Sequence, residues 1–168
     1  HTRYWRDWSS DVCSSDLSCG RWRIVFNGEI YNHRELRSRL EAEGQRFRGS
    51  GDTEVLLAWM ASRGVAGLRQ LRGMFAFALL DTHTGRALLA RDPHGIKPLY
   101  IWHGPAGELL FASELRALLR SGRIPRQPDP DAIAAYLASG SVPEPATLVR
   151  GIQRDRKSTR LNSSHANI

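Results

Sequence analysis

Cysteine is almost missing from this sequence. Of 168 residues only Cys13 and Cys19 carry a thiol, and none follows them. That excludes a disulfide framework and fits a reducing compartment, so a cytoplasmic protein is expected. No stretch of about 18 apolar residues occurs, so no membrane-spanning helix is expected. The opening His1-Thr2-Arg3-Tyr4-Trp5-Arg6 is not followed by the apolar core of a secretory leader. His33, His83, His94 and His103 stand in turns or at helix starts, none beside a second ligand at metal spacing, and no metal is expected. No Gly-rich phosphate loop is present. Basic runs are missing too. The net charge is +7, but residues 154–168 contribute +3 of it, residues 1–20 contribute −1, and the remainder is scattered arginine. Such scatter describes a solvated surface, not a nucleic-acid stripe, so no nucleic-acid partner is expected.

What is present suits a single soluble domain with a real core: 168 residues, 41% apolar. The two ends differ from the middle. Residues 1–20 combine Tyr4, Trp5 and Trp8 with a doubled Ser-Ser-Asp and keep no period of 2 or 3.6. Residues 154–168 are polar and equally aperiodic. Both resemble peptides translated from library-adapter DNA read in frame with a gene. The expected division is therefore a non-native or disordered segment at 1–20, a folded domain at 21–153, and a non-native or disordered tail at 154–168.

Inside the folded segment the local signals agree with one another. Asn32 is placed to cap a helix, Glu35 completes a capping box, and Gly44 ends the helix. Only Leu36 and Leu40 are large and apolar there, which predicts a surface helix with one narrow buried stripe. Asp52 or Thr53 is placed to cap a second, more deeply buried helix carrying Val55, Leu56, Leu57, Trp59 and Met60, with Gly64 after it. Residues 65–72 read as a short helical connector. Residues 74–80 are apolar without alternation and lead through a turn at 81–85 into a partner strand at 86–91. A strand apolar on both faces is covered on both faces. Residues 99–102 and 108–112 make a second hairpin, Ser113 opens a helix through Leu119, and Asp129-Pro130 opens another. Strands joined by hairpins and bracketed by helices define an α+β class with a layered antiparallel sheet.

The chain is organised around Phe26-Asn27-Gly28-Glu29-Ile30-Tyr31-Asn32, between a strand-like run at 23–26 and a helix-like run near His33. Asn-Gly after a strand suggests a tight turn. An Asn carboxamide and a neighbouring Gly N–H are also two donors able to meet one oxygen, the chemistry of an oxyanion hole. Asp92 and its neighbours Arg91 and Lys97 read as scaffold, a path leaving one hairpin and entering the next.

Five blocks then resemble a known family: residues 26–32, Gly51-Asp52-Thr53-Glu54-Val55, Leu71–Ala78, Arg91–Tyr100, and Phe111-Ala112-Ser113-Glu114. Together they are similar to the class II, N-terminal-nucleophile (Ntn) glutamine amidotransferase domain, most closely that of the glutamine-dependent asparagine synthetases. The resemblance implies an Ntn-hydrolase-like layered sandwich with antiparallel sheets between helices, truncated at its N-terminus. In such domains an N-terminal cysteine attacks the side-chain amide of L-glutamine and releases ammonia, its own α-amino group acting as base. Asn27 and Gly28 match the catalytic pair that holds the oxyanion. Glu29 and Asp52 match carboxylates that seat the substrate, Asp52 taking its α-ammonium.

Departures from the family pattern carry their own expectations. Cys19 lies only eight residues before Asn27 and has a peptide-bonded nitrogen, so it does not match the nucleophile. The upstream arginine for the glutamine carboxylate is missing as well. The resemblance therefore implies a piece of a glutaminase domain, inactive by itself and with no cofactor of its own. Its synthetase domain, with ATP and Mg²⁺, stands in cis in the parent, which is compatible with a homodimer. Glu29-Ile30-Tyr31-Asn32 and the stretch from Tyr136 to Ile152 point to the asparagine synthetase branch. Amidotransferases acting on another carboxylate share both features, and a non-catalytic relic of the fold is the further alternative.

Overall fold

A computed structural model describes residues 13–16, 20–155 and 160–163, the first and last of these as backbone only. The expectations for the remaining residues of both ends lie outside the described residues. Within those ends, β1 (Cys13–Asp16) and β8 (Arg160–Ser163) run as short strands.

The main sheet has five antiparallel strands in the order β1-β2-β3-β4-β8, with β2 at Trp22–Ile30, β3 at Gly73–Asp81 and β4 at Arg86–Arg91. A second sheet has three antiparallel strands: β5 (Tyr100–His103) lies between β6 (Leu109–Ala112) and β7 (Ile152–Arg154). The lack of alternation in β3 has a plain cause. Phe75, Phe77 and Leu79 face the helices α1 (His33–Ala42) and α2 (Asp52–Arg63), where they join Ile24, Phe26 and Ile30 of β2. Ala76 and Ala78 face the other way and pack with Leu99 and with Ile101 and Leu109 of the second sheet. Large residues on one side fill the helix interface, and small ones on the other let the two sheets approach. The outer face of the second sheet is covered by α3 (Leu115–Arg120) through Trp102, Ala112 and Leu118. The result is helices, sheet, sheet, helix: the α+β layered sandwich expected.

The helices largely follow their signals. In α1 the buried residues are Leu36 and Leu40, the narrow stripe predicted. In α2 seven residues from Thr53 to Met60 are buried, and Gly64 closes the helix with φ +55°. A 3₁₀ connector follows at Gly64–Gln70, seated by a hydrogen bond from Trp59 Nε1 to the Gly67 carbonyl at 3.2 Å. α4 (Pro130–Ser139) is capped by Asp129, whose side chain accepts from the N–H groups of Asp131 and Ala132. α3 departs by one residue from expectation, with Glu114 and not Ser113 at its N-cap. Among the described residues no helix is long and apolar enough to cross a membrane.

Three expectations of local geometry fail. Asn27-Gly28 is not a turn: both residues lie inside β2, which runs on to Ile30 in register with Gly73 of β3. Asn32 stands at the N-cap of α1 but makes no side-chain cap, and Glu35 pairs with Arg39 one turn on instead of closing a box. The Asn32 carboxamide is spent elsewhere, donating to the Gln70 carbonyl at 2.9 Å and accepting from the Arg72 N–H at 3.0 Å. It acts as one more rung of the β2–β3 ladder after the backbone has turned away. Asp52 is the first residue of α2, with Gly51 at the cap position, and neither Asp52 nor Thr53 caps it. The Asp52 carboxylate has been drawn to β2 instead.

Candidate functional site

The site begins with strand parity. In an antiparallel ladder, residues alternate between those that exchange hydrogen bonds with the partner and those whose N–H and C=O point away from it. Tyr31 donates to the Arg72 carbonyl at 2.8 Å, so the odd residues of β2 face β3. Gly28 pairs with Phe75 in the other class. Phe75 agrees: its carbonyl accepts from the Asp92 N–H at 2.8 Å and its N–H reaches Asp92 Oδ2 at 3.3 Å, both on the side of β4. The N–H of Gly28 therefore points outward, along the edge of β2 away from β3. On that side the register with β1 stops at Phe26 among the described residues.

Asp52 lies on the same edge. Its Oδ2 accepts the Ile30 N–H at 2.9 Å, the next outward-pointing amide after Gly28. Two residues of strand separate these amides by about 7 Å. Asp52 is the first residue of α2, so the first turn of that helix fixes its backbone beside the strand. Its Oδ1 accepts a long contact from the Thr53 hydroxyl at 3.5 Å, which leaves that oxygen with capacity for a cationic partner.

Asn27 and Glu29 share the opposite parity. Their side chains stand on the β2 face opposite Phe26 and Ile30, opposite Ala76 and Met74 in register. Asn27 is half-buried and its carboxamide has no hydrogen-bond partner among the described residues; Glu29 is exposed. The structure thus brings Asn27, Gly28, Glu29 and Asp52 to one end of one strand. The Gly28 N–H points along the edge, the Asn27 carboxamide stands on the adjoining face, and carboxylates stand at Glu29 and Asp52.

Gly28 is also required by packing. Its φ is +148°, and a Cβ there would stand 2.1 Å from the Met74 carbonyl oxygen and 2.7 Å from the Phe75 Cα. Gly73, two rungs along, is held the same way: φ +155°, with a Cβ 2.1 Å from the Glu29 carbonyl oxygen. The two strands press against each other at the site, and only glycine fits on either side.

Two further residues support this geometry, Asn32, which the sequence marks only as a cap, and Asp92, which it marks as scaffold. The bridge from Asn32 to Gln70 and Arg72 has no local signature. Asp92 holds the partner residue of Gly28 directly. A signal existed for its loop, because Asp followed two residues later by a turn position is an Asx-turn pattern, and Asp92 Oδ1 does accept the His94 N–H at 3.0 Å. Among the described residues no group of three or more His, Cys, Asp or Glu stands ready to hold a metal ion.

Comparison with known proteins now bears on this arrangement. The family described as a glutamine amidotransferase domain matches residues 14–167. The putative glutamine-hydrolysing asparagine synthetase of Mycobacterium tuberculosis is 46% identical over 138 residues, which cover 80% of this chain and 21% of that protein. The glutamine-hydrolysing asparagine synthetase 1 of Bacillus subtilis is 43% identical over 125 residues, covering 74% of this chain and 20% of that protein. The chain spans about a fifth of the length of these curated relatives. Among solved structures, the glutamine phosphoribosylpyrophosphate amidotransferase of B. subtilis, complexed with ADP and GMP, superposes with a TM-score of 0.53 at 28% identity. That likeness covers 66% of this chain and 25% of the solved one, and it confirms the amidotransferase sandwich. By sequence along nearly its whole length and by fold, the chain belongs to the glutamine amidotransferase domain family.

Proposed function

We propose that this chain is the glutaminase part of a longer, cytoplasmic, glutamine-hydrolysing asparagine synthetase. The observation that carries the reading is the shared edge of β2, with the Gly28 N–H pointing outward and Asp52 tied to the next outward amide at Ile30. L-Glutamine laid along that edge would place its side-chain carbonyl at Gly28 and its α-ammonium at Asp52, with Glu29 as a second carboxylate. The Asn27 carboxamide and the Gly28 N–H would stabilise the oxygen that gains charge as the amide is attacked. The sheet presets the Gly28 N–H and fixes the backbone from which the Asn27 carboxamide would reach the same oxygen. The nucleophile in this reading is the N-terminal cysteine of the parent, whose synthetase domain in cis would use ATP and Mg²⁺ to activate aspartate.

The test is made on that longer protein. Asn27→Ala should lower kcat for glutamine hydrolysis by about 10²- to 10³-fold, the size of one lost oxyanion donor. Asp52→Asn should chiefly raise the KM for glutamine, because it weakens a contact made equally in ground and transition states. Unchanged glutamine kinetics in both variants would overturn the assignment. Ammonia-dependent synthesis, measured alongside, should survive in both.

A further inference from the structure

The stretch that leads into Asp52 is loose by composition. Gly49-Ser50-Gly51 stands directly before it, and glycine loses more backbone freedom on folding than any other residue. Neither glycine is there for want of space. Gly51 has φ −72°, open to any residue. A Cβ would meet nothing within 4 Å at Gly51, and at Gly49 nothing nearer than Glu54 Oε2 at 3.5 Å. Among the described residues no backbone–backbone hydrogen bond outside the helices and strands reaches residues 46–50.

Two side chains hold the loop instead. Glu54, in the first turn of α2, folds back over it: Oε1 accepts the Arg48 N–H at 3.0 Å and Oε2 the Gly49 N–H at 2.9 Å. Arg37 of α1 comes from the other side. Its Nη1 donates to the Gly49 carbonyl at 2.7 Å, while its Nε donates to Glu41 at 2.8 Å. Its guanidinium also lies 4.9 Å over the ring of Phe47, which packs against the main core. Gly49 is thus gripped by its N–H and its C=O, from two different helices.

These contacts close a ring. α1 follows β2, Arg37 ties α1 to the loop, and Glu54 ties the loop to α2. Asp52, at the start of α2, returns to β2 through the Ile30 N–H at 2.9 Å. An ion pair as exposed as Arg37–Glu41 adds little to stability. Selecting one conformation of a glycine loop is a different task, and it decides where Asp52 stands.

We propose that Arg37 and Glu54 are positioning residues for the substrate. They set the place of Asp52 along the β2 edge, and with it the distance from the carboxylate that takes the α-ammonium to the Gly28 N–H that takes the amide oxygen. The inference rests on the functional reading above, and both residues act through Asp52. A substrate held at its two ends is sensitive to such a distance, because a displacement of about 1 Å misplaces one end whenever the other is seated.

Glutamine kinetics of the longer protein test this, with Glu54→Gln, Asp52→Asn and the double variant. A carboxamide offers one oxygen where two N–H groups need acceptors, so Glu54→Gln should raise the KM for glutamine on the order of five-fold and change kcat by less than about two-fold. Arg37→Met keeps an apolar stem over Phe47 but loses the bond to Gly49, and should raise KM in the same direction. Arg37→Lys should fall between it and the parent. Adding Glu54→Gln to Asp52→Asn should raise KM by less than the product of the single effects, because one residue acts through the other. Ammonia-dependent synthesis reports the folded fraction and should stay unchanged throughout.

An unchanged KM in Glu54→Gln beside a raised KM in Asp52→Asn overturns the positioning role and leaves the glutamine site standing. An unchanged KM in Asp52→Asn sinks the substrate site itself, and the positioning role with it. Single effects that multiply in full in the double variant make Glu54 independent of Asp52 and overturn the proposal. Equal losses of glutamine- and ammonia-dependent synthesis at constant KM reduce both residues to stability alone, and overturn it as well.

Discussion

Two stretches meet at Phe75, one from each neighbouring strand. Residues 27–32 and 91–97 are alike in sequence: each is short, polar, and built from Asx, Gly and charged side chains. They are opposite in how those groups are used. In the second, everything closes on itself. Asp92 is fully buried, its Oδ1 accepting from His94 and Ile96 and its Oδ2 from Phe75 and Lys97. Burial pushes that carboxyl up, but the backbone N–H donors outweigh it and hold Asp92 below the ordinary carboxylate value. Arg91, also buried, donates to the carbonyls of Lys97, Gly95 and Asp155. In the first stretch the Gly28 N–H points along the strand edge and the Asn27 carboxamide, on the adjoining face, has no partner among the described residues, while Asp52 reaches the same strand from α2. The contrast teaches that charge and polarity alone do not mark a site; what distinguishes it is polar capacity left over after the fold is satisfied.

Substitutions sharpen that contrast, and the largest effect is expected in the stretch that looks least functional. Asp92→Ala removes the acceptor of four N–H groups, the buried one of Phe75 and the part-buried ones of His94, Ile96 and Lys97, and should cost at least about 3 kcal/mol, visible as loss of soluble protein or of a cooperative urea transition. Gly28→Ala comes next. Its methyl group would press on the Met74 carbonyl and the Phe75 Cα, and a loss of about 2 kcal/mol is expected in the same measurement. A well-folded Gly28→Ala protein would show that the strands separate there more easily than the structure implies. Asn32→Ala and Asn27→Ala then form a pair of conservative deletions five residues apart. The first breaks the bridge to Gln70 and Arg72 and should cost about 1 kcal/mol. The second removes no internal bond and should change stability by less than about 0.5 kcal/mol. Equal costs would erase the distinction between a spent and an unspent carboxamide.

The smallest effect concerns pH. Hydrogen bonding from Arg21 holds the Asp81 carboxyl well below the usual range, against a burial effect that raises it, with the His83 N–H adding to the depression. A carboxyl that holds its proton less tightly when folded adds stability above its unfolded pKa, near about 3.9, and loses it as pH falls through the folded value. Asp81→Asn should therefore flatten the acid side of a stability–pH curve and leave its slope above about pH 5 unchanged. Because the Arg21 side chain is 42% exposed, salt should shrink the difference.

Much of the fold was legible because local signals and core pattern coincided: the narrow stripe of α1, the buried run of α2, the doubly covered β3 and the Asp129 cap all stand where the sequence puts them. The site was legible in composition but not in geometry. Asn27 and Gly28 could be named, yet they read as a turn, because nothing local says that residues near position 74, almost fifty away, will extend the ladder past them. Asn32 and Asp52 misled in the same way. Each has the chemistry of a helix cap, and each was drawn off by a backbone group distant in sequence, Arg72 for one and Ile30 for the other. A side chain's local option is visible in sequence; the competing long-range partner is not.

The alternation of β2 also has a spectroscopic consequence. Deuterium should enter the backbone of this strand with a period of two near its end. Asn27, Glu29 and Tyr31, bonded inward to β3, should exchange slowly, and Gly28 quickly. Ile30 shares the outward parity of Gly28 and by the ladder alone would exchange as fast. It is the Asp52 carboxylate that should slow it, so a single amide signal becomes a clock for whether the second helix is holding the strand in place.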